Sequence, residues 1–154
     1  MKTIQQKMII TLSVLFLSSF YMYSQSNDQI DVLLDEPQAR LDSTAYIVLS
    51  AGKIIEESTD VATAFAKAAE IGLFHSGEKA ETPVRADEFS YMLMRSLSLK
   101  GGLMYMFFPG PRYAYREMVY RKVLSGTGGP SRIVSGDEVV RSLSAALDLK
   151  GVKE

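Results

Sequence analysis

The chain has 154 residues, a formal net charge of −1 and no cysteine. The missing cysteine excludes a disulfide framework, acylation of the kind that lipoproteins carry, and a thiolate zinc site. The near-neutral balance speaks against nucleic acid as a partner.

Residues 1–26 carry the marks of an export signal. Lys2 and Lys7 precede the uncharged apolar run Met8–Tyr23, and Ser24-Gln25-Ser26 places small residues at a cleavage site after Ser26, with Ser24 as the alternative. An uncleaved anchor is the competing reading, but the apolar run is short of the ~20 residues a spanning helix needs. The expected location is the periplasm or cell surface, with the membrane touched only through this segment if it is retained.

Residues 27–58 read as an acidic lead-in followed by a helix. Asp28, Asp31, Asp35 and Glu36 make Asn27–Gln38 acidic and poorly ordered, with Ile30, Val32, Leu33 and Leu34 able to pack down as one turn. From about Gln38 to Glu57, Leu41, Ala45, Val48 and Leu49 recur at helical spacing. Ser58-Thr59-Asp60 then caps the next helix.

Residues 59–101 form one repeat copy, and residues 102–154 an aromatic hinge followed by a second copy that resembles the first. Shifted by 50 positions, Val84, Asp87, Glu88, Leu93, Leu97, Leu99, Lys100 and Gly101 fall on Val134, Asp137, Glu138, Leu143, Leu147, Leu149, Lys150 and Gly151. Each copy reads as helix, loop, helix. Ala64, Phe65, Ala68 and Ala69 match Ala114, Tyr115, Met118 and Val119, and Phe89, Leu93, Ser96 and Leu97 match Val139, Leu143, Ala146 and Leu147. Ser135-Gly136-Asp137-Glu138 predicts a capping box, and Gly101 and Gly151 read as helix-closing glycines.

Helix, glycine turn, Pro/Gly loop and acidic helix start resemble the S-layer homology repeat. The second copy follows it from Arg112 to Leu149, with Tyr113-Ala114 where that family usually has Trp-Ala. The first copy, Ala64 to Leu99, is looser. Arg85 stands at the family's threonine position, and Ala86 and Gly136 stand where its arginine would be. Such proteins usually bring three repeats. Two align here, and the leading helix has the place of a third without its identities. The resemblance implies a helical repeat fold and attachment to cell-wall polymer.

Between the copies lies Leu103–Phe108, too apolar for water, with an extended or single-turn segment buried between the repeats as the expectation. Met92, Met94, Met104, Met106 and Met118 read as core, with an adaptable partner groove as the alternative. Asn27–Glu81 holds 11 acidic and 4 basic residues, and Thr82–Glu154 holds 7 and 11, so the halves carry −7 and +4. They are expected to pack partly through this complementarity, or the basic half to face an anionic surface.

Arg112, Tyr113, Tyr115, Arg116 and Arg132 are the candidate ligand-binding residues, because guanidiniums beside aromatic rings suit sugar faces and carboxylates. His75 is a lone loop histidine, and the carboxylates of Asp87-Glu88 and Asp137-Glu138 suit first turns of helices. No metal, cofactor or catalytic residue is expected. The fold class is all-α, about five helices beyond the signal helix. The expected role is a non-catalytic module of the bacterial cell envelope, with a cell-wall glycan as partner or, alternatively, another protein of an envelope assembly.

Overall fold

The computed structural model describes residues 24–151 apart from Ser76, so the export segment lies outside the described residues up to residue 23. The described chain is helical. Seven helices follow in order: α1 Ser24–Leu34, α2 Leu41–Ala51, α3 Val61–Glu70, α4 Ala86–Ser96, α5 Leu103–Phe107, α6 Pro111–Tyr120 and α7 Gly136–Gly151. The acidic lead-in is therefore largely helix. Burial of Leu33 supplies the tertiary anchor that a helix this short needs.

The helices form three units, α1–α2, α3–α4 and α6–α7. The inner helices α2, α4 and α7 touch one another, and each packs on an outer helix: α2 on α3, α4 on α6, α7 on α1. Chain order thus closes into a circle. The stripes expected from the sequence face the core: Ala64, Ala68, Phe89, Leu93, Ala114, Met118, Val139 and Ala146 are all fully buried. Ala69 and Leu147 are the exceptions and are exposed. On α2 burial runs without a break from Ser43 to Leu49, more than one face's worth, because helices cover it on several sides.

A ring of backbone hydrogen bonds ties the inner helices together just before they start. Ala39 N–H donates to Val134 O at 2.9 Å, Val134 N–H to Val84 O at 3.1 Å, and Val84 N–H to Ala39 O at 2.9 Å. A second ring satisfies first-turn N–H groups that a helix leaves without partners. Leu41 N–H reaches Thr82 O, Ala86 N–H reaches Arg132 O, and Gly136 N–H reaches Glu36 O. The leading segment is thereby the geometric equal of the two that align by sequence. Arg40 and Arg85, in equal places, pair with Asp42 at 2.7 Å and Asp87 at 2.9 Å.

Gly136 shows what the ring demands. A Cβ there would lie 1.6 Å from the carbonyl oxygen of Leu33, at the end of α1. Only residues 35–40 join α1 to α2, whereas residues 71–85 and 121–135 join the helices of the other units. The short link brings α1 backbone against the third unit, and only glycine fits.

Four helix ends repeat one geometry. Lys53, Gly72, Ser98 and Lys122 have positive φ, and the next residue donates five positions back: Ile54 to Leu49, Leu73 to Ala68, Leu99 to Met94, Val123 to Met118. This is the Schellman arrangement, with Leu73, Leu99 and Val123 sealing three of the four ends. α4 therefore stops at Ser96, ahead of Gly101, and α7 runs through to Gly151. At the α7 start Ser135 Oγ accepts from Glu138 N–H at 3.2 Å, but the Glu138 carboxylate grips the Arg132 guanidinium, a stronger partner than a neutral N–H.

Candidate functional site: an apolar ledge between cationic flanks

Residues 52–60 join α2 to α3, and residues 97–110 make the equivalent link from α4 to α6. The longer link carries α5. Gly102 opens it in extended conformation, Met106 N–H returns to Gly102 O and Phe108 N–H to Met104 O, both at 3.0 Å. Pro109 follows, which disfavours helical backbone at Phe108.

The base of α5 is held firmly. Gly102 N–H donates to Glu117 Oε2 at 3.0 Å, and Glu117 is paired with Arg121 at 2.7 Å. Arg121 also donates to Lys100 O. Tyr105 is half-buried, and a Cβ on Gly101 would lie 2.6 Å from its ring, so the chain passes close beneath it. Burial, the neighbouring Tyr91 adding to it, holds the Tyr105 phenol proton more tightly than usual. The Phe108 and Tyr113 rings lie 6.3 Å apart.

The rest of the segment faces outward. Leu103, Met104, Met106, Phe107 and Phe108 are 54–70 % exposed, which corrects the expectation of a buried hinge. Met104 and Met106 likewise leave the expected methionine core, whereas Met92, Met94 and Met118 fill it. The segment adds to a circle of helices that is already closed without it, so no neighbour remains to cover it. Five such side chains in one stretch reach the size of patch, ~300–600 Å², that marks interaction surfaces.

Cations flank the ledge on both sides. On one side lies a cleft of about 580 Å³ whose lining includes Met94, Leu99, Tyr105, Met106, Arg95 and Lys100, and no carboxylate. Arg95 lies 5.9 Å from the Tyr91 ring centre. On the other side a groove of about 300 Å³ is lined by Leu103, Met104, Tyr113, Arg116, Glu117 and Tyr120, with Glu117 already paired to Arg121. Arg112 and Arg116 are exposed and enter no ion pair among the described residues.

The five candidate residues separate into two groups. Arg112, Tyr113 and Arg116 share the outer edge of α6 with Tyr120, which is 84 % exposed. Tyr115 turns inward, and its hydroxyl donates to Gly126 O at 3.2 Å. Arg132 donates to Glu138 and to Ser125 O, and the Glu138 hydrogen bond raises its pKa. Tyr115 and Arg132 therefore brace the 121–135 loop. The ledge itself escaped the sequence reading; its signal was an apolar run falling outside both repeat copies.

The two charged halves do not meet through ion pairs. Each pair among the described residues joins neighbours within one half, from Arg40–Asp42 to Arg141–Asp137. The expected complementarity thus remains unspent inside the molecule. Among the described residues no three His, Asp or Glu side chains gather in metal-binding geometry. His75 sits in an exposed loop. Asp87 and Glu88 are occupied locally, Asp87 by the Arg85 guanidinium and Glu88 by the Arg85 N–H at 3.2 Å. Comparison with protein-family models, curated proteins and solved structures returns no match. The geometry of this face therefore carries the functional argument.

Proposed function

We propose that the protein is a non-catalytic module of a bacterial periplasmic or surface assembly that docks another protein on its α5–α6 face. The observation that carries this reading is the row of exposed apolar side chains from Leu103 to Phe108 on a rigidly held base. Apolar surface of this extent is costly in water, and its burial in an interface drives association. Tyrosine and arginine, rich along the same edge, are the residues that most often dominate binding energy.

Site-specific photo-cross-linking from position 107 of the full chain, in cells, tests the reading. Adducts with protein are expected there and not from exposed Glu56, in the short link of the first unit. No protein adduct at position 107 overturns it.

A polymer-binding reading has one supporting observation, the open groove in which Arg116 lies beside Tyr113 and Tyr120. Under it, the chain co-sediments with purified cell-wall sacculi and loses this in Arg112→Ala plus Arg116→Ala, with salt weakening the wild type. No sedimentation of the wild type removes it.

A further inference from the structure

The ledge has a counterpart on the same chain. Asp28 and Asp31 on α1 and Asp35 just past its end lie at i, i+3 and i+7, one stripe of a helix. All three are exposed, and none enters an ion pair among the described residues. Asp35 N–H still donates to Asp31 O at 3.2 Å, so the stripe keeps helical geometry to its end. Val32 and Leu34 flank it and are 53 % and 43 % exposed. The α1 face is therefore apolar at its margins and acidic along its middle. One shoulder of α1, Val32 beside the acidic stripe, matches the α6 side of the ledge, where Leu103 and Met104 lie beside Arg116.

These two faces cannot meet within one molecule. α1 packs on α7 and α2, whereas α5 packs on α6, and α1 touches neither α5 nor α6. We infer that the α1 face of one copy covers the α5 ledge of the next, so that the protein associates with itself head to tail. The inference rests on the docking reading above and names the partner as a second copy. Laid along the α6 side of the ledge, α1 sets Val32 against the Leu103–Phe108 row and the stripe of Asp28, Asp31 and Asp35 against Arg112 and Arg116, while Leu34 lies on the far shoulder of the helix and takes no part. The halves bearing these faces carry −7 and +4, and among the described residues no ion pair joins them.

Electrostatics also selects the arrangement. Two ledges meeting face to face would bring Arg95, Lys100, Arg112 and Arg116 of both copies together without a facing carboxylate, and like charges across an interface cost several kcal/mol. A head-to-tail contact uses two different patches. It is heterologous, so it builds a ring if the rotation closes and a filament if it does not.

The chain has no cysteine, so single-cysteine variants report contacts cleanly. Val32→Cys and Met106→Cys full chains are prepared separately, mixed and oxidised. The inference expects a disulfide-linked pair in the mixture and little in either variant alone. A Met106→Cys chain that links with itself as readily as in the mixture overturns the head-to-tail arrangement in favour of ledge-to-ledge contact. Charge reversal supplies the second arm. Asp31→Lys plus Asp35→Lys, and separately Arg112→Glu plus Arg116→Glu, each lower the linked yield at least ~10-fold. All four changes in one chain restore it, because both faces are reversed together. These positions are exposed, and the thermal unfolding of each variant verifies that it folds. Absence of linkage in the mixture, with heterologous adducts still formed from position 107, overturns self-association while leaving the docking reading intact. Absence of both overturns the two together.

Discussion

The two links between neighbouring units do the same topological work with opposite results. In residues 52–60 Gly52 lets α2 close down on α4, since a Cβ there would lie 2.5 Å from Ser96 O. In residues 97–110 the chain buries Leu97 and Leu99, then turns away from the core after Gly101, builds α5 and sets the side chains of Leu103, Met104, Met106, Phe107 and Phe108 in water. The first link stays close to the core, with Ile55 packed against it and the Glu57 carbonyl accepting from the Tyr46 hydroxyl at 2.9 Å. The second enters the core with Leu97 and Leu99 at its start, is tied by Glu117 and Arg121 at Gly102, and from there owes the core little beyond Tyr105. A segment freed from the core can keep an apolar surface for another molecule, at no cost to the circle of helices.

Substitutions sharpen this contrast. Phe89→Ala, in the fully buried α4 core, is expected to cost about 3–5 kcal/mol of stability. Phe107→Ala on the ledge stays within about 0.5 kcal/mol. Urea unfolding of both variants measures the difference, and equal losses would break the comparison.

Gly136→Ala strikes the ring, because its Cβ has only the Leu33 carbonyl to enter. A loss of about 3 kcal/mol is expected from that overpacking, against almost none for Gly151→Ala, which opens on empty space. Thermal unfolding of the pair is the measurement.

Lys53, Ser98 and Lys122 hold left-handed backbone that glycine adopts without strain. Lys53→Gly, Ser98→Gly and Lys122→Gly are each expected to raise stability by about 0.5–1 kcal/mol, less the entropy glycine adds to the unfolded chain. A fall in melting temperature at all three sites would contradict the helix-end geometry.

Asp60 gives the gentlest effect. The Thr63 hydroxyl and then the Thr63 N–H hydrogen bond to its carboxylate and hold its pKa below the usual carboxylate range. A depressed folded pKa contributes stability above the unfolded value and loses it as pH falls through the folded one. Asp60→Ala should therefore melt earlier than the wild type at neutral pH, with the gap closing on acidification. A gap independent of pH would remove the cap from the account.

The helical stripes were legible because burial follows a 3.6-residue period, and Phe89, Leu93, Ala114 and Met118 keep it. The Asp60 cap was legible for a related reason, since capping is settled within a single turn. Helix ends were less so. Lys53, Ser98 and Lys122 occupy positions that glycine usually marks, and their conformation goes with the backbone hydrogen bonds of Ile54, Leu99 and Val123, of which Leu99 and Val123 are also buried. Half of the candidate site was readable in the same local way. Arg112, Tyr113 and Arg116 lie on the exposed edge of one helix, whereas Tyr115 and Arg132 are claimed by Gly126 and Glu138 across a loop.

The sequence by itself determined an all-α chain, the inward stripes of its helices, the Asp60 cap and the opposite charge of its halves. Those properties depend on local spacing and on composition, which every segment carries with it. Only the tertiary structure decided that the leading segment joins the ring as an equal, that Gly136 must lack a side chain, and that the most apolar link faces water. Each of these depends on which backbone lies opposite. Ala39, Val84 and Val134 share no motif that would announce their pairing. Leu103–Phe108 is exposed because the circle of helices has already closed without it.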